Sequence, residues 1–268
     1  MNHSANDFLK NVDCFLVDLD GTIYKGDLLL NGSKRLIDTI KEIGKDFLFV
    51  TNNSSINRSI TAGKLTHIGL PTVKDKILTS GEATALYLER QHPGSRVFLI
   101  GTTALEEEFL TRGFIITDTD PEYIVLGFDT GLTYDKLWKL SELAFSGIPY
   151  IATNPDRTCL YEKGFMPEIA PMIAYVESAS GKIPGVVIGK PNPIMAEIAS
   201  EMTGYPLKNM AIIGDSLETD IPMGKNAGIP TILILSGDTL PGMITGDQPK
   251  PDLIFNDLNE LSDALLNL

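Results

Sequence analysis

Cysteine, tryptophan and histidine are scarce in this 268-residue sequence, present two, one and three times. Cys14 lies inside an apolar run and Cys159 far downstream, so the pair could close one bridge at most. Their spacing fits no metal site, and a reducing compartment is the simpler setting. None of the histidines follows a strand-like run. His3 sits in a polar leader, His67 in a helix-like stretch and His92 just before Pro93, so histidine catalysis is not expected. Positive charge is also in deficit, with 22 Lys and Arg against 35 Asp and Glu, a net charge of −13. No Lys/Arg-rich run offers a local exception, which argues against binding a nucleic-acid polymer. Long apolar runs are missing too. The longest, such as Thr231 to Leu235, are strand-length and far too short to span a bilayer. Residues Met1 to Asp13 lack the apolar core and cleavage site of a signal peptide, so a cytoplasmic location is expected, without membrane association. There is no internal repeat or low-complexity linker, and the Gly and Pro content is ordinary, which excludes fibrous and disordered classes.

What the chain does contain is a regular alternation. Short apolar runs occur at Phe15–Val17, Phe47–Val50, Val97–Ile100, Tyr123–Leu126, Tyr150–Ala152, Val186–Ile188, Met210–Ile213 and Thr231–Leu235. Their unbroken apolar character predicts strands buried on both faces. Between them, Gly32–Ile43, Ser80–Arg90, Tyr134–Ser146 and Pro193–Met202 space their apolar residues as helices do. This is the pattern of an α/β protein with mostly parallel sheets. Trp138 and the leucines around it are expected to form a helix packing face. The trio Glu106-Glu107-Glu108 is expected to form a solvated helix face.

In open α/β sheets ligands sit beyond the carboxyl ends of the strands, so the polar groups that follow each run are the informative ones. After Phe15–Val17 comes Asp18-Leu19-Asp20-Gly21-Thr22, and after Phe47–Val50 comes Thr51-Asn52-Asn53. Val186–Ile188 leads to Gly189-Lys190-Pro191, and Met210–Ile213 to Gly214-Asp215, with Asp220 further on. Strand ends would thus bring several carboxylates, a hydroxyl, an amide and an ammonium to one sheet edge. Carboxylates gathered there repel one another unless a cation is present, and Mg²⁺ is the usual ion where one or two carboxylates meet a phosphate. Lys190, the Thr51 hydroxyl and nearby backbone N–H groups suit the oxygens of a phosphoryl group. An Asp beside such a metal can act as a nucleophile, and a second Asp two positions on can donate a proton and then activate water. Taken singly, each string also reads as a turn, a helix cap or a solvated loop lysine.

The four motifs, in order, resemble those of the haloacid dehalogenase (HAD) superfamily of phosphohydrolases. The longer strings Thr51-Asn52-Asn53-Ser54, Thr153-Asn154-Pro155-Asp156, Val187 to Pro191 and Gly214 to Ile221 look like its NagD-like, p-nitrophenylphosphatase branch. The resemblance implies a doubly wound parallel-sheet core with an inserted α/β cap domain of type IIA. It implies Asp18 as nucleophile and Asp20 as general acid and base. Mg²⁺ would be held by the Asp18 carboxylate, the Asp20 carbonyl and Asp215, with Asp220 supporting the metal and Lys190. Thr51 and the Asn52 amide would bind the phosphoryl group. Thr51 and Lys190 are 139 positions apart, although both must touch one phosphate, so an inserted module must occupy much of the interval. Core segments are placed at 1–79 and 183–268 and the cap at 80–182. Asn154, Asp156 and Arg157 are the cap's candidate substrate contacts. The Asn-Pro-Asp string is equally a turn signature, and Arg157 suits a plain surface position as well.

The expected activity is Mg²⁺-dependent hydrolysis of a small phosphorylated metabolite through an aspartyl-phosphate. Sugar phosphates, nucleoside monophosphates and similar monoesters are all compatible with the resemblance. A phosphotransferase or mutase of the same superfamily, and a signalling module that stores the phosphoryl group without turnover, are the alternatives. The reading allows a homodimer.

Overall fold

The structure is a computed structural model and describes residues 8–161, 164–244 and 249–268; residues 1–7, including His3, lie outside them. The chain divides into two compact units. One comprises residues 1–51, 61–78 and 190–268, the other residues 52–60 and 79–189. Segments 52–60 and 183–189 and residue 79 therefore group with the inserted unit, whereas the expected boundaries set them in the core.

The first unit is built on a six-stranded sheet. Its order is Leu253–Phe255, Thr231–Ile234, Met210–Gly214, Cys14–Asp18, Asp46–Thr51 and Ile77–Thr79. Cys14–Asp18 pairs in parallel with both of its neighbours, and Met210–Gly214, Thr231–Ile234 and Leu253–Phe255 continue in parallel on that side. All five residues of Cys14–Asp18 are buried, as the continuous apolar run requires of a central strand covered on both faces. On one face Phe15, Val17, Phe47, Phe49, Ile213 and Ile232 pack with Leu36 and Ile40 of helix Ser33–Glu42 and with Leu258, Leu261 and Leu265 of helix Leu258–Leu266. Burying each such side chain contributes about 1.5–3 kcal/mol. Helix Leu258–Leu266 starts at Asp257, whose carboxylate accepts the Asn259 and Glu260 amides, because the first amides of a helix have no partner within it.

The second unit holds a five-stranded sheet in the order Val186–Val187, Tyr150–Ala152, Tyr123–Leu126, Arg96–Ile100 and Ile115–Ile116, with every pair parallel. Its core joins Ile100, Ile124, Leu126 and Ala152 to Leu140, Leu143 and Ala144 of helix Tyr134–Phe145 and to Ile169 and Val176 of helix Ile169–Ser180. A separate antiparallel hairpin pairs Thr158–Tyr161 with Gly164–Pro167.

Two expectations fail here for one geometric reason, the 100° turn between successive helical residues. Trp138 is 64% exposed, because Leu140, Leu143 and Ala144 define the buried face of its helix and Trp138 falls on the other side. Glu107 is exposed but Glu108 is buried, since three consecutive helical residues cannot share one face. Glu108 lies in helix Thr103–Thr111 and its Oε1 accepts from the Thr79 hydroxyl at 3.3 Å.

Candidate active site

In the first unit the chain runs outward from Cys14–Asp18 to one side and from Met210–Gly214 to the other, so the strand order reverses between them. That switch point is where open α/β sheets place their ligands. Asp18 pairs with Val50, one residue before Thr51, and Val17 with Ile213, two before Asp215. Neighbouring strands lie about 4.8 Å apart, so the register alone sets Asp18 between Thr51 and Asp215 at the carboxyl edge.

Side chains complete the arrangement. Carboxylate oxygens of Asp18, Asp215 and Asp220 lie within 4.8 Å of one another, and all three residues are buried. The Lys190 ammonium, 3% exposed, bonds to Asp18 Oδ1 and to Asp220 Oδ1, the latter at 2.7 Å. Asp220 opens helix Asp220–Ala227, and its Oδ2 also accepts the Ser216 amide at 3.2 Å. Asp215 takes the Thr22 hydroxyl on Oδ1 at 2.8 Å and the Asp238 amide on Oδ2 at 2.6 Å. Gly21, at φ +89°, faces the Asp215 carboxylate so closely that a Cβ would overlap it, and a positive φ with no room for a side chain calls for glycine. At Gly214, without a positive φ, a Cβ would likewise overlap the Asp220 side chain.

Burial pushes the Asp18 carboxyl up to about 7; Lys190 opposes the rise and Asp215 adds to it. Burial likewise raises Asp215 and Asp220, each to about 6, with Asp220 adding to the rise at Asp215 and Lys190 opposing it at Asp220. For Lys190 burial works against the charge, but Asp18 and Asp220 outweigh it and hold the ammonium protonated. Three clustered carboxylates answered by one ammonium leave a surplus of buried negative charge. A hard divalent cation with oxygen ligands would neutralise it, so the donor set fits Mg²⁺.

Asp20 lies outside this cluster on the loop after the strand. It is exposed, and its Oδ2 accepts the Tyr24 hydroxyl at 3.0 Å. Although the residue as a whole is exposed, desolvation of its carboxyl by the surrounding protein raises it, while Lys64 and the Tyr24 hydrogen bond pull the other way. Thr51 is buried at the end of its strand. It does not cap the following helix, Arg58–His67; the Asn57 side chain does, accepting the Ile60 amide at 3.0 Å.

The other expected residues lie in the second unit. Asn52 donates from Nδ2 to both carboxylate oxygens of Asp156, at 3.0 and 3.1 Å. Its carbonyl accepts from Asn154 Nδ2 at 2.7 Å and from the Ser80 hydroxyl at 2.5 Å. Asn154, expected as a substrate contact, is instead fully buried, with Oδ1 accepting the Asp156 amide at 2.9 Å. Both ends of its amide are thus occupied within the protein. Arg157 is exposed, and its carbonyl receives the Glu168 amide at 3.0 Å. The Val186–Val187 strand that leads to Lys190 pairs with Tyr150–Ala152 rather than with the core sheet, so Lys190 does not arrive from a core strand end as expected. Thr22, quoted only as the end of the first motif, and Tyr24, Lys64 and the Asp238 amide, absent from the sequence reading, also belong to the site's surroundings. Only Thr22 and Tyr24 carry a signal in the sequence, by their closeness to Asp20.

Two family models match the chain. One, haloacid dehalogenase-like hydrolase, covers residues 15–115, and the other, HAD-hydrolase-like, covers residues 187–261. An acid sugar phosphatase of Staphylococcus saprophyticus is 34% identical over 258 residues, spanning 96% of this chain and 99% of its own. The crystal structure of a 4-nitrophenylphosphatase from Thermotoga maritima superposes with a TM-score of 0.93 at 40% identity, covering 96% of this chain and 99% of that one. A glycerol phosphate phosphatase from Mycobacterium tuberculosis in complex with magnesium gives a TM-score of 0.88 at 28% identity, covering 95% of this chain and 78% of that one.

Proposed function

From the premise that the chain belongs to the haloacid dehalogenase-like hydrolases and is a phosphatase of that type, we propose that it hydrolyses small phosphomonoesters through an aspartyl-phosphate on Asp18, with Mg²⁺ as cofactor. The observation that carries this reading is the buried set Asp18, Asp215 and Asp220 around Lys190 at the sheet's switch point. When bound, Mg²⁺ would supply positive charge to the phosphoryl oxygens and hold them against the nucleophile. The Asp18 carboxylate, the Asp20 carbonyl and Asp215 are its proposed ligands. Asp18 attacks phosphorus in line with the leaving oxygen. Asp20, exposed on the adjacent loop, gives that oxygen a proton and then takes one from the water that releases phosphate. Asp220 holds the Lys190 ammonium, and Lys190 and Thr51 bind the phosphoryl group, joined by the Asn52 amide that follows Thr51 in the chain.

The second unit is proposed as the specificity cap, with Asp156 and Arg157 as its candidate substrate-facing residues. The acid sugar phosphatase and the glycerol phosphate phosphatase among the relatives favour a phosphorylated polyol or sugar as the substrate. The test is phosphate release from p-nitrophenyl phosphate and from a panel of sugar and polyol phosphates, with Mg²⁺ and with chelator. Turnover should need Mg²⁺, and Asp18→Asn should lower it by roughly a thousandfold or more while the fold persists. Near-normal turnover by Asp18→Asn would sink the nucleophile. Transfer to an added sugar in place of water would identify a phosphotransferase, and stoichiometric labelling without turnover a signalling module.

A further inference from the structure

Tyr24 and Lys64 have no part in the reading above, yet Tyr24 bonds to the one proposed acid that stands outside the buried cluster, and Lys64 packs on the Tyr24 ring. Tyr24 is 2% exposed and packs in the main core of the first unit. Its backbone is tied to the same turn as Asp20, with the Gly21 amide donating to its carbonyl at 2.8 Å and its own amide donating to the Leu19 carbonyl at 3.1 Å. The Lys64 ammonium sits 3.9 Å from the centroid of its ring, an arrangement in which a cation is drawn to the ring face. From this fixed base the hydroxyl reaches Asp20 Oδ2 at 3.0 Å. The bond fixes one orientation of the Asp20 carboxyl.

We propose that Tyr24 is a positioning residue for proton transfer, its hydroxyl reserving Asp20 Oδ2 as an acceptor so that the transferable proton resides on Oδ1. The argument rests on Asp20 being the general acid. A phenol keeps its proton throughout the neutral range. Tyr24 therefore has a proton to donate to Asp20 Oδ2 and does not take up the one being transferred. In the first half of the reaction a bond forms between an Asp18 oxygen and phosphorus as the bond from phosphorus to the leaving oxygen breaks. The proton on Asp20 Oδ1 passes to that oxygen, and the products are an acyl phosphate, a neutral alcohol and an ionised Asp20. A sugar or polyol alkoxide needs that proton to depart. A p-nitrophenolate departs as the anion and needs it far less.

The test is kcat/KM of Tyr24→Phe on a polyol phosphate and on p-nitrophenyl phosphate, because kcat/KM reports events only through departure of the leaving group. General acid catalysis contributes roughly a hundredfold to ten-thousandfold when the acid is well placed. Tyr24→Phe should lower the polyol phosphate value by about tenfold and the p-nitrophenyl value by less than about twofold. Across aryl phosphates of graded leaving-group acidity, the variant's dependence on that acidity should be steeper. A loss merely structural in origin would depress all substrates alike, and equal losses, or none, would overturn the proposal. Should Tyr24→Phe fail to fold, a fluorinated tyrosine installed at position 24 keeps the shape and alters only the donor. It should shift the ratio of the two kcat/KM values, and an unchanged ratio would overturn the proposal. Asp20→Asn separates this inference from the reading beneath it. If Asp20→Asn shows the leaving-group selectivity and Tyr24→Phe does not, only the positioning role fails; if Asp20→Asn is itself unselective, the acid assignment fails.

Discussion

Lys190 illustrates how single residues acquire a role from what surrounds them. An ammonium that is 3% exposed would ordinarily lose its proton to burial, but Asp18 and Asp220 flank it and keep it charged. Asn154 is a second case. It donates to the Asn52 carbonyl and accepts the Asp156 amide, and the chain immediately before Asn52 is Thr51. Asn154→Ala removes both bonds from a fully buried position, so it should destabilise the protein by about 1–3 kcal/mol and lower kcat more than it raises KM. Thermal melts and steady-state kinetics check both parts, and an undisturbed kcat would limit Asn154 to a structural part. The aspartates at 18, 215 and 220 were legible in the sequence because each lies at or soon after the end of an apolar run, where sheet geometry fixes the destination. The partners of Tyr24 and of the buried Asn154 were not, because such pairings are set by how loops fold back, which no periodicity encodes.

Among the elements, the central strands were the most legible. All eight apolar runs form strands, and the four helix-patterned segments form helices. The strands Ile77–Thr79, Ile115–Ile116 and Leu253–Phe255, two or three residues long at sheet edges, are not among the apolar runs, because pieces this short are hard to tell from turns by pattern alone. The start of helix Ser80–Gln91 shows how much rests on one side chain. Thr79 accepts the Glu82 amide at 3.0 Å and donates to Glu108 Oε1. Thr79→Ala should cost about 1–2 kcal/mol. Glu108 itself is pushed up to about 8 by burial and by Glu82. Its folded value exceeds its unfolded one, so the stability it contributes is full below about pH 4.5 and is lost as pH rises through about 8. Glu108→Gln has no such titration. Its melting temperature relative to the parent should therefore climb between pH 5 and pH 9, and a difference that does not change with pH would contradict the account.

For the whole molecule, the same linkage joins stability to the metal. Without a cation, Asp18, Asp215 and Asp220 hold protons in the folded state up to about pH 6–7 that the unfolded chain releases near pH 4. The metal-free fold should lose that contribution as pH rises through this window, and Mg²⁺, which binds the ionised carboxylates, should restore it. The rise in melting temperature on adding Mg²⁺ should thus be small at pH 5 and large at pH 8; an equal rise at both would contradict a site built from these groups. At this scale the sequence indicated an inserted module, and the compact unit of the structure groups residues 52–60, 79 and 183–189 with it. The Val186 run looks like any core strand until its pairing with Tyr150–Ala152 is seen, and pairing partners are not written in a strand's own composition. The central claim, covalent transfer to Asp18, is tested most directly by trapping. The protein is mixed with Mg²⁺ and a phosphomonoester, quenched in acid and reduced with borohydride, and the peptide containing residue 18 is sequenced by mass spectrometry. The account predicts homoserine at position 18 in substrate-treated protein and aspartate in the untreated control. Turnover with aspartate unchanged at position 18, or with the reduced residue at another position, would contradict it.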